Sequence, residues 1–316
     1  MADLTKLELY EHVGADQAEA EHISRPQLSY AKDVARRFFS NKVAMFSVVV
    51  LAILVIMAIV GPMVCQYNYQ STDVGAVSQK LAEGGREALG PDSEHWFGID
   101  TLGRDLWARV WVGTRYSLII GFVAAVVQAI IGILVGCVSG YFGGMVDVII
   151  MRAVDILDSI PYLIYVIIIM MIFGSGLFPI MAALTLTGWL SMARMVRSQI
   201  LTLKNEDYVL AARNLDTKPI RIMLKHLIPN CMGIIIVSLS MAIPNAIFSE
   251  AYLSFLGIGL SAPLTSLGQL ISTGIQEMQN YPYQLIIPSI VISLLMLSLQ
   301  LIGDGLRDAV DPKLRK

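Results

Sequence analysis

The run VAMFSVVVLAILVIMAIVGPMVC, Val43–Cys65, holds twenty-three residues and not one charge. About 20 apolar residues are enough for a helix to cross the hydrocarbon layer of a bilayer. This stretch therefore predicts a membrane span, and the rest of the chain follows suit. Further apolar blocks run over Tyr116–Ser139, Val148–Phe173, Leu177–Val196, Cys231–Leu253 and Tyr283–Ile302. Six spans is the simplest count, and the fold class is an all-α integral membrane protein.

Composition agrees. The 316 residues are 55% hydrophobic and 15% charged, with a net charge of −2 and a mean hydropathy of +0.65. Soluble domains carry about 45–50% apolar and about 25% charged residues. Nothing in the charge balance suggests nucleic acid as a partner. The three cysteines, Cys65, Cys137 and Cys231, lie singly in or beside apolar blocks, with no CxxC. They predict packing rather than a metal or a disulfide. The first ~40 residues are polar and mixed in charge, and no cleavable signal peptide is expected there.

Lysine and arginine set the orientation, because they are retained on the cytoplasmic side of short loops. They cluster before the first span, between the fourth and fifth spans, and at the C-terminus, while Leu256–Pro282 has none. Both termini are thus expected in the cytoplasm. The chain divides into a cytoplasmic segment 1–42 with an amphipathic helix, a membrane domain 43–303, and a cytoplasmic tail 304–316. Within the membrane domain, 66–115 is an external loop and 197–230 a cytoplasmic one. Trp107 and Trp111 in TLGRDLWARVWVG suit an amphipathic helix lying at the headgroups. Gly132, Gly136, Gly140 and Gly144, spaced by four, predict close approach of another helix, inside or outside the chain.

Between spans four and five the chain interrupts itself with EDYVLAARNLDTKPIRIMLKHLIPN, Glu206–Asn230, carrying three acids and four Lys/Arg. Glu206–Leu215 reads as a helix ending before Pro219. Thr217–Lys225 reads as a second short helix with Pro219 in its first turn. Adjacent Ala211 and Ala212 suit insertion into a partner's groove.

Chemistry-bearing motifs are scarce. No Gly-Lys dipeptide exists for a phosphate loop, GIGLSA (257–262) reads as a tight external turn, and the histidines lack metal-ligand spacing. No nucleophile with its base is evident, so no catalytic residue, metal or cofactor is assigned, and any energy source belongs to another chain. Charges at membrane depth invite a functional reading. Asp155 and Asp158, with Arg152, share one helix face near the expected cytoplasmic surface, where a local ion pair explains them as well as a path does. Glu250, beyond Pro244 and Asn245, either lines a water-filled path or caps a loop. Asn245, Glu250, Asp155 and Asp158 are the candidate path residues.

The interruption resembles the EAA loop of ABC-importer permeases, with Ala211, Ala212 and Ile228-Pro229 matching and Asp216 standing where that motif has glycine. ARRFFSNKVAMF, HWFGIDTLGRDLWARVWVGTRYSL, YFGGMVDVIIMRAVDILDSIP, EAYLSFLGIGL and IGDGLRDAVDPKL, in that order, are similar to the C-type permease of oligopeptide and dipeptide importers. The resemblance covers nearly everything from Ser29 onward, outside an insert near Val74–Leu89. It implies the MetI-like type I importer permease fold in a prokaryotic plasma (inner) membrane. It implies pairing with a homologous permease, two ATPase subunits that bind ATP and Mg, membrane lipid around the spans, and an external peptide-binding protein. The coupling residues it implies are Glu206, Tyr208, Ala211, Ala212, Arg213, Asp216, Pro219, His226 and Pro229. Ala212→Glu is expected to uncouple transport by placing a charge on the docking surface. Peptide is the implied substrate, with nickel or glutathione as alternatives. From the residues alone, an ion-coupled secondary transporter is the first rival, although no inverted repeat is evident. A membrane enzyme is disfavoured for want of a site, and a purely structural membrane subunit stays open.

Overall fold

A computed structural model describes residues 30–85 and 89–310. Among these the backbone is helical apart from loops and one isolated bridge between Ile99 and Asp105. Helix α1 (Tyr30–Ser40) leads into the first span α2 (Lys42–Val64). Asn41 breaks them, and its side chain accepts hydrogen bonds from the Val43 and Ala44 amides to start α2. After α3 (Val74–Gly84), helix α4 runs unbroken for 37 residues from Leu106 to Phe142. At 1.5 Å per residue this is about 55 Å, longer than a bilayer core is thick.

Continuity of α4 corrects the reading of the tryptophan stretch. Residues 106–115 are the first turns of the second span rather than a separate helix on the headgroups, and the segment before it ends at Asp105. That carboxylate caps α4 by accepting from the Ala108 amide at 2.8 Å. Trp111 is buried against Gly61 of α2, and the Trp107 indole donates to the Gly61 carbonyl.

Two positive-φ glycines, Gly143 and Gly144, turn the chain into α5 (Gly144–Ser159), which meets α6 (Tyr162–Phe173) at an 82° bend around Ile160-Pro161. The third apolar block is thus a sharply bent helix pair, not a straight span. Proline withholds its amide and disfavours helix before it, so the break falls where the sequence dictates. Helix α7 (Leu177–Leu203) returns and packs along α4. A Cβ on Gly132 would strike Met192, one on Gly136 the Ala193 carbonyl, and one on Gly140 Ile200. Three of the four spaced glycines thus seat α7 inside the chain, and the fourth, Gly144, serves the turn.

Beyond α7 come α8 (Asp207–Asn214), α9 (Pro219–Ile222), a π-turn (Met223–Leu227) and α10 (Ile228–Phe255). The expected second short helix is not free-standing, because Pro219–Phe255 forms one continuous span. Helix α11 (Leu267–Gln276) lies across the far end, and α12 (Tyr283–Val310) closes the bundle against α2 and α10. The expected tail from 304 is helical through Val310, and residues 311–316 lie outside the described residues, as does most of segment 1–42. Among the described residues five helices are long and apolar enough to cross a membrane, and the bent α5–α6 pair, counted as one span, would bring the number to six.

Candidate functional site

Two features stand out, a two-faced helix at one end and a polar groove along one side. Helix α8 turns Val209 and Ala212 inward onto a cluster built from α4, α7 and the start of α10, with Val196, Ile200, Ile222, Leu227 and Cys231 as its centre. Ala212 is only 8% exposed. This corrects the expected role of that residue, which seats α8 on its own bundle and does not form the docking surface. Ala211 faces outward.

The chain leaves α8 through a left-handed residue, Asp216, at φ +52°. The Leu215, Asp216 and Thr217 amides bond back to the Ala211, Arg213 and Ala212 carbonyls, closing the helix end. A short polar side chain tolerates this conformation better than most, so the aspartate preserves the turn that a glycine would make. Pro219 then opens α9, where its missing amide costs nothing.

The outward face is unusual. Leu215 is 80% exposed, and Leu210, Ile220 and Leu224 are also large, apolar and exposed beside it. Glu206, Asp207, Lys218, Arg221 and Lys225 surround them with both signs of charge. Apolar side chains within a polar rim mark a contact with protein or membrane. Arg213 lies over the Tyr141 ring at 4.9 Å, and Tyr208 stands 6.4 Å from the His226 ring. Burial pushes the Tyr208 phenol above its ordinary value, assisted by the charge of Glu206. Pro229 points elsewhere, into the groove.

The groove consists of three cavities that share walls. The outermost, of 470 Å³, is lined by Asp158, Tyr162 and Ser249 among others; the middle one, of 390 Å³, shares Gln128, Gly188, Ser191 and Asn245 with it. The innermost, of 710 Å³, shares Met195, Ser238 and Arg307 with the middle one and reaches Pro229 and Asn230. The groove thus runs from the α5–α6 bend to the foot of α10.

The candidate path residues separate accordingly. Asn245 and Asp158 line the groove. Asp155 and Asp158 pair with Arg194 of α7, at 3.2 and 2.9 Å, and not with Arg152 on their own helix. Glu250 is fully buried, and its carboxylate accepts from Ser254 at 2.7 Å, Ser266 at 2.6 Å and Ser117 at 3.4 Å. It ties α10 to α11 and α4 and does not face the cavities. Gln128, Gly188, Ser191 and Arg194 escaped the sequence reading. A lone glutamine inside the apolar block Tyr116–Ser139 was the available signal.

Residues 132–316 match the family described as the binding-protein-dependent transport system inner membrane component, and residues 29–82 match the N-terminal TM domain of oligopeptide transport permease C. The chain belongs to this family of inner membrane transport components. It is 44% identical to the oligopeptide transport system permease protein OppC of Bacillus subtilis (strain 168), over 98% of each chain. It is also 44% identical to the dipeptide transport system permease protein DppC of the same organism, over 94% of this chain and 90% of that one. OppC of Haemophilus influenzae is 40% identical over 93% of each. Among solved structures, the inward-facing MetNI methionine ABC transporter superposes with a TM-score of 0.50 at 22% identity, covering 64% of this chain and 96% of that chain. That likeness concerns the fold, which is of the MetI type. The chain is accordingly a multi-pass permease subunit of an ABC importer.

Proposed function

We propose that this permease forms half of a translocation path for oligopeptides or dipeptides in a prokaryotic inner membrane. Its other half is a homologous permease subunit. Two ATPase subunits, which bind ATP and Mg, dock beneath the pair, and an extracytoplasmic binding protein delivers peptide from the other side. The ends bearing α1, α8 and the foot of α12 face the cytoplasm, and residues 65–105 with α11 face outward. Names of the relatives support the substrate class: oligopeptide and dipeptide permeases match across nearly the whole chain. Nickel and glutathione are the alternative cargoes.

The observation that carries the coupling role is the outer face of α8. Leu210, Ala211, Leu215 and Ile220 present an apolar surface at the charged end of the molecule, while Val209 and Ala212 root the same helix in the bundle. A load on the outer face is passed to α7 and α10, which line the groove. Tyr208, Arg213, Asp216 and His226 shape this handle, and Glu206 and Pro219 bound it.

Leu215→Asp tests this directly. The side chain is almost fully exposed, so the fold is expected to tolerate the change. Peptide uptake by the reconstituted transporter should fall at least tenfold, with ATPase subunits lost from the purified complex. Unchanged uptake at equal membrane abundance would remove the coupling role from α8.

A further inference from the structure

The groove is most polar at its neck. Gln128, Gly188, Ser191 and Asn245 border both the outer and the middle cavity. Gln128 lies 14 residues before Phe142, Gly188 15 before Leu203, and Asn245 17 after Ile228. At 1.5 Å per residue these positions stand about 21–26 Å in from the coupling ends of their helices. At such depth an idle polar group is costly.

One of them is built into place. Gln128 is 8% exposed, and its Nε2 donates to the Leu184 carbonyl of α7 at 2.9 Å. A Cβ on Gly188 would collide with the Gln128 carboxamide where it now lies, so the glycine leaves room for this placement. The Asn245 carboxamide and Gln128 Oε1 face the groove with no partner among the described residues. Tyr162 lines the outer cavity with its ring, while its hydroxyl is buried against apolar side chains. Arg194 bridges Asp155 and Asp158, and Arg307 lines the middle and innermost cavities.

A carboxamide offers the same N–H donors and carbonyl acceptor as a peptide bond. We propose that Gln128 and Asn245 form a subsite for the backbone amides of an extended peptide in transit. The inference rests on the peptide reading above and adds how the cargo is held. The residues shared at the neck carry no formal charge, so they engage the main chain.

The test uses the complete transporter in proteoliposomes with its own binding protein. Uptake of tetra-alanine is compared with that of the same peptide N-methylated at its central amides, which lose their donors. Asn245→Leu, at an exposed position, and Gln128→Met, which keeps the side chain's length and removes its carboxamide, are the variants. The binding protein's own preference is common to every measurement and cancels between variant and wild type. Each variant is expected to narrow the parent-to-methylated uptake ratio by about 3- to 10-fold, the worth of one hydrogen bond. An unchanged ratio in both variants, with peptide still transported, overturns the subsite and leaves the peptide permease intact. Loss of the second permease from the purified variants overturns it too, because the idle groups then belong to the subunit contact. A wild-type complex that moves no peptide defeats the proposed function first, and the subsite with it.

Discussion

The two ends of this bundle handle polarity in opposite ways. At the end bearing residues 89–109, charged groups turn inward and satisfy one another. Asp100 takes the Leu102 and Arg104 amides, the Arg104 guanidinium at 2.7 Å, and buried Arg109. Asp105 caps α4 while holding His95 Nδ1 at 2.8 Å. Tyr283 and Gln284 of α12 reach over to the Ile99 carbonyl, and Tyr283 also takes that of Leu89. At the α8 end the charges stay in solvent beside exposed leucine and isoleucine; Trp96 and Leu102 are exposed at the first end too, so the difference lies in the charges. A surface whose charges complete their own bonds fixes geometry, whereas one whose charges stay free can meet those of a partner.

The largest expected effect breaks the self-satisfied end. Asp100→Asn removes the carboxylate from Arg109, which is 4% exposed, and strands a buried cation. Breaking one partner of a buried pair costs about 3–5 kcal/mol. The purified permease pair should lose thermal stability steeply, and adding Arg109→Met should restore part of it, since only the less buried Arg104 then lacks its carboxylate. A single variant as stable as wild type would mean that this network does not organise the outer end.

A smaller effect sharpens the contrast within α8 itself. Ala211→Glu puts a charge on the outer face, and Ala212→Glu forces one into the cluster with Val209 and Ile222. The first should preserve thermal stability and reduce ATPase docking. The second should destabilise the protein by about 2–4 kcal/mol, as buried unpaired polar groups do. Equal losses of stability in the two variants would erase the distinction between the faces. The comparison also replaces Ala212→Glu as a probe of coupling, because that variant confounds docking with folding.

The sequence carried the spans well because twenty uncharged apolar residues have few other destinations. It carried the turn at Asp216 because Pro219 and a short polar residue leave little choice there. It failed where the outcome depends on which neighbour arrives. That α4 starts at Leu106 depends on Asp105 being claimed as a cap, and that Ala212 faces inward depends on where α7 lies. The groove was least legible. Gln128 gains its meaning only from Gly188, sixty residues away in the chain, and Arg194 from the two aspartates across the helix interface.

The smallest expected effect returns to the outer end and concerns pH. Burial alone would push the Asp92 carboxyl up, but the His95 and Glu94 amides and the Lys80 ammonium donate to it and hold it below its ordinary 3.8. A carboxylate with a lowered value in the folded loop adds stability above the unfolded value, and that contribution disappears as pH falls through the lowered one. The Lys80–Asp92 pair is part-exposed, so the effect is local and modest. Amide exchange in residues 92–98, corrected for the intrinsic rate, should accelerate between pH 5 and about pH 3. Asp92→Asn should flatten that response while leaving the Asp100 network in place. Retention of the full pH response in Asp92→Asn would remove the sensitivity from Asp92 and from the Lys80–Asp92 contact.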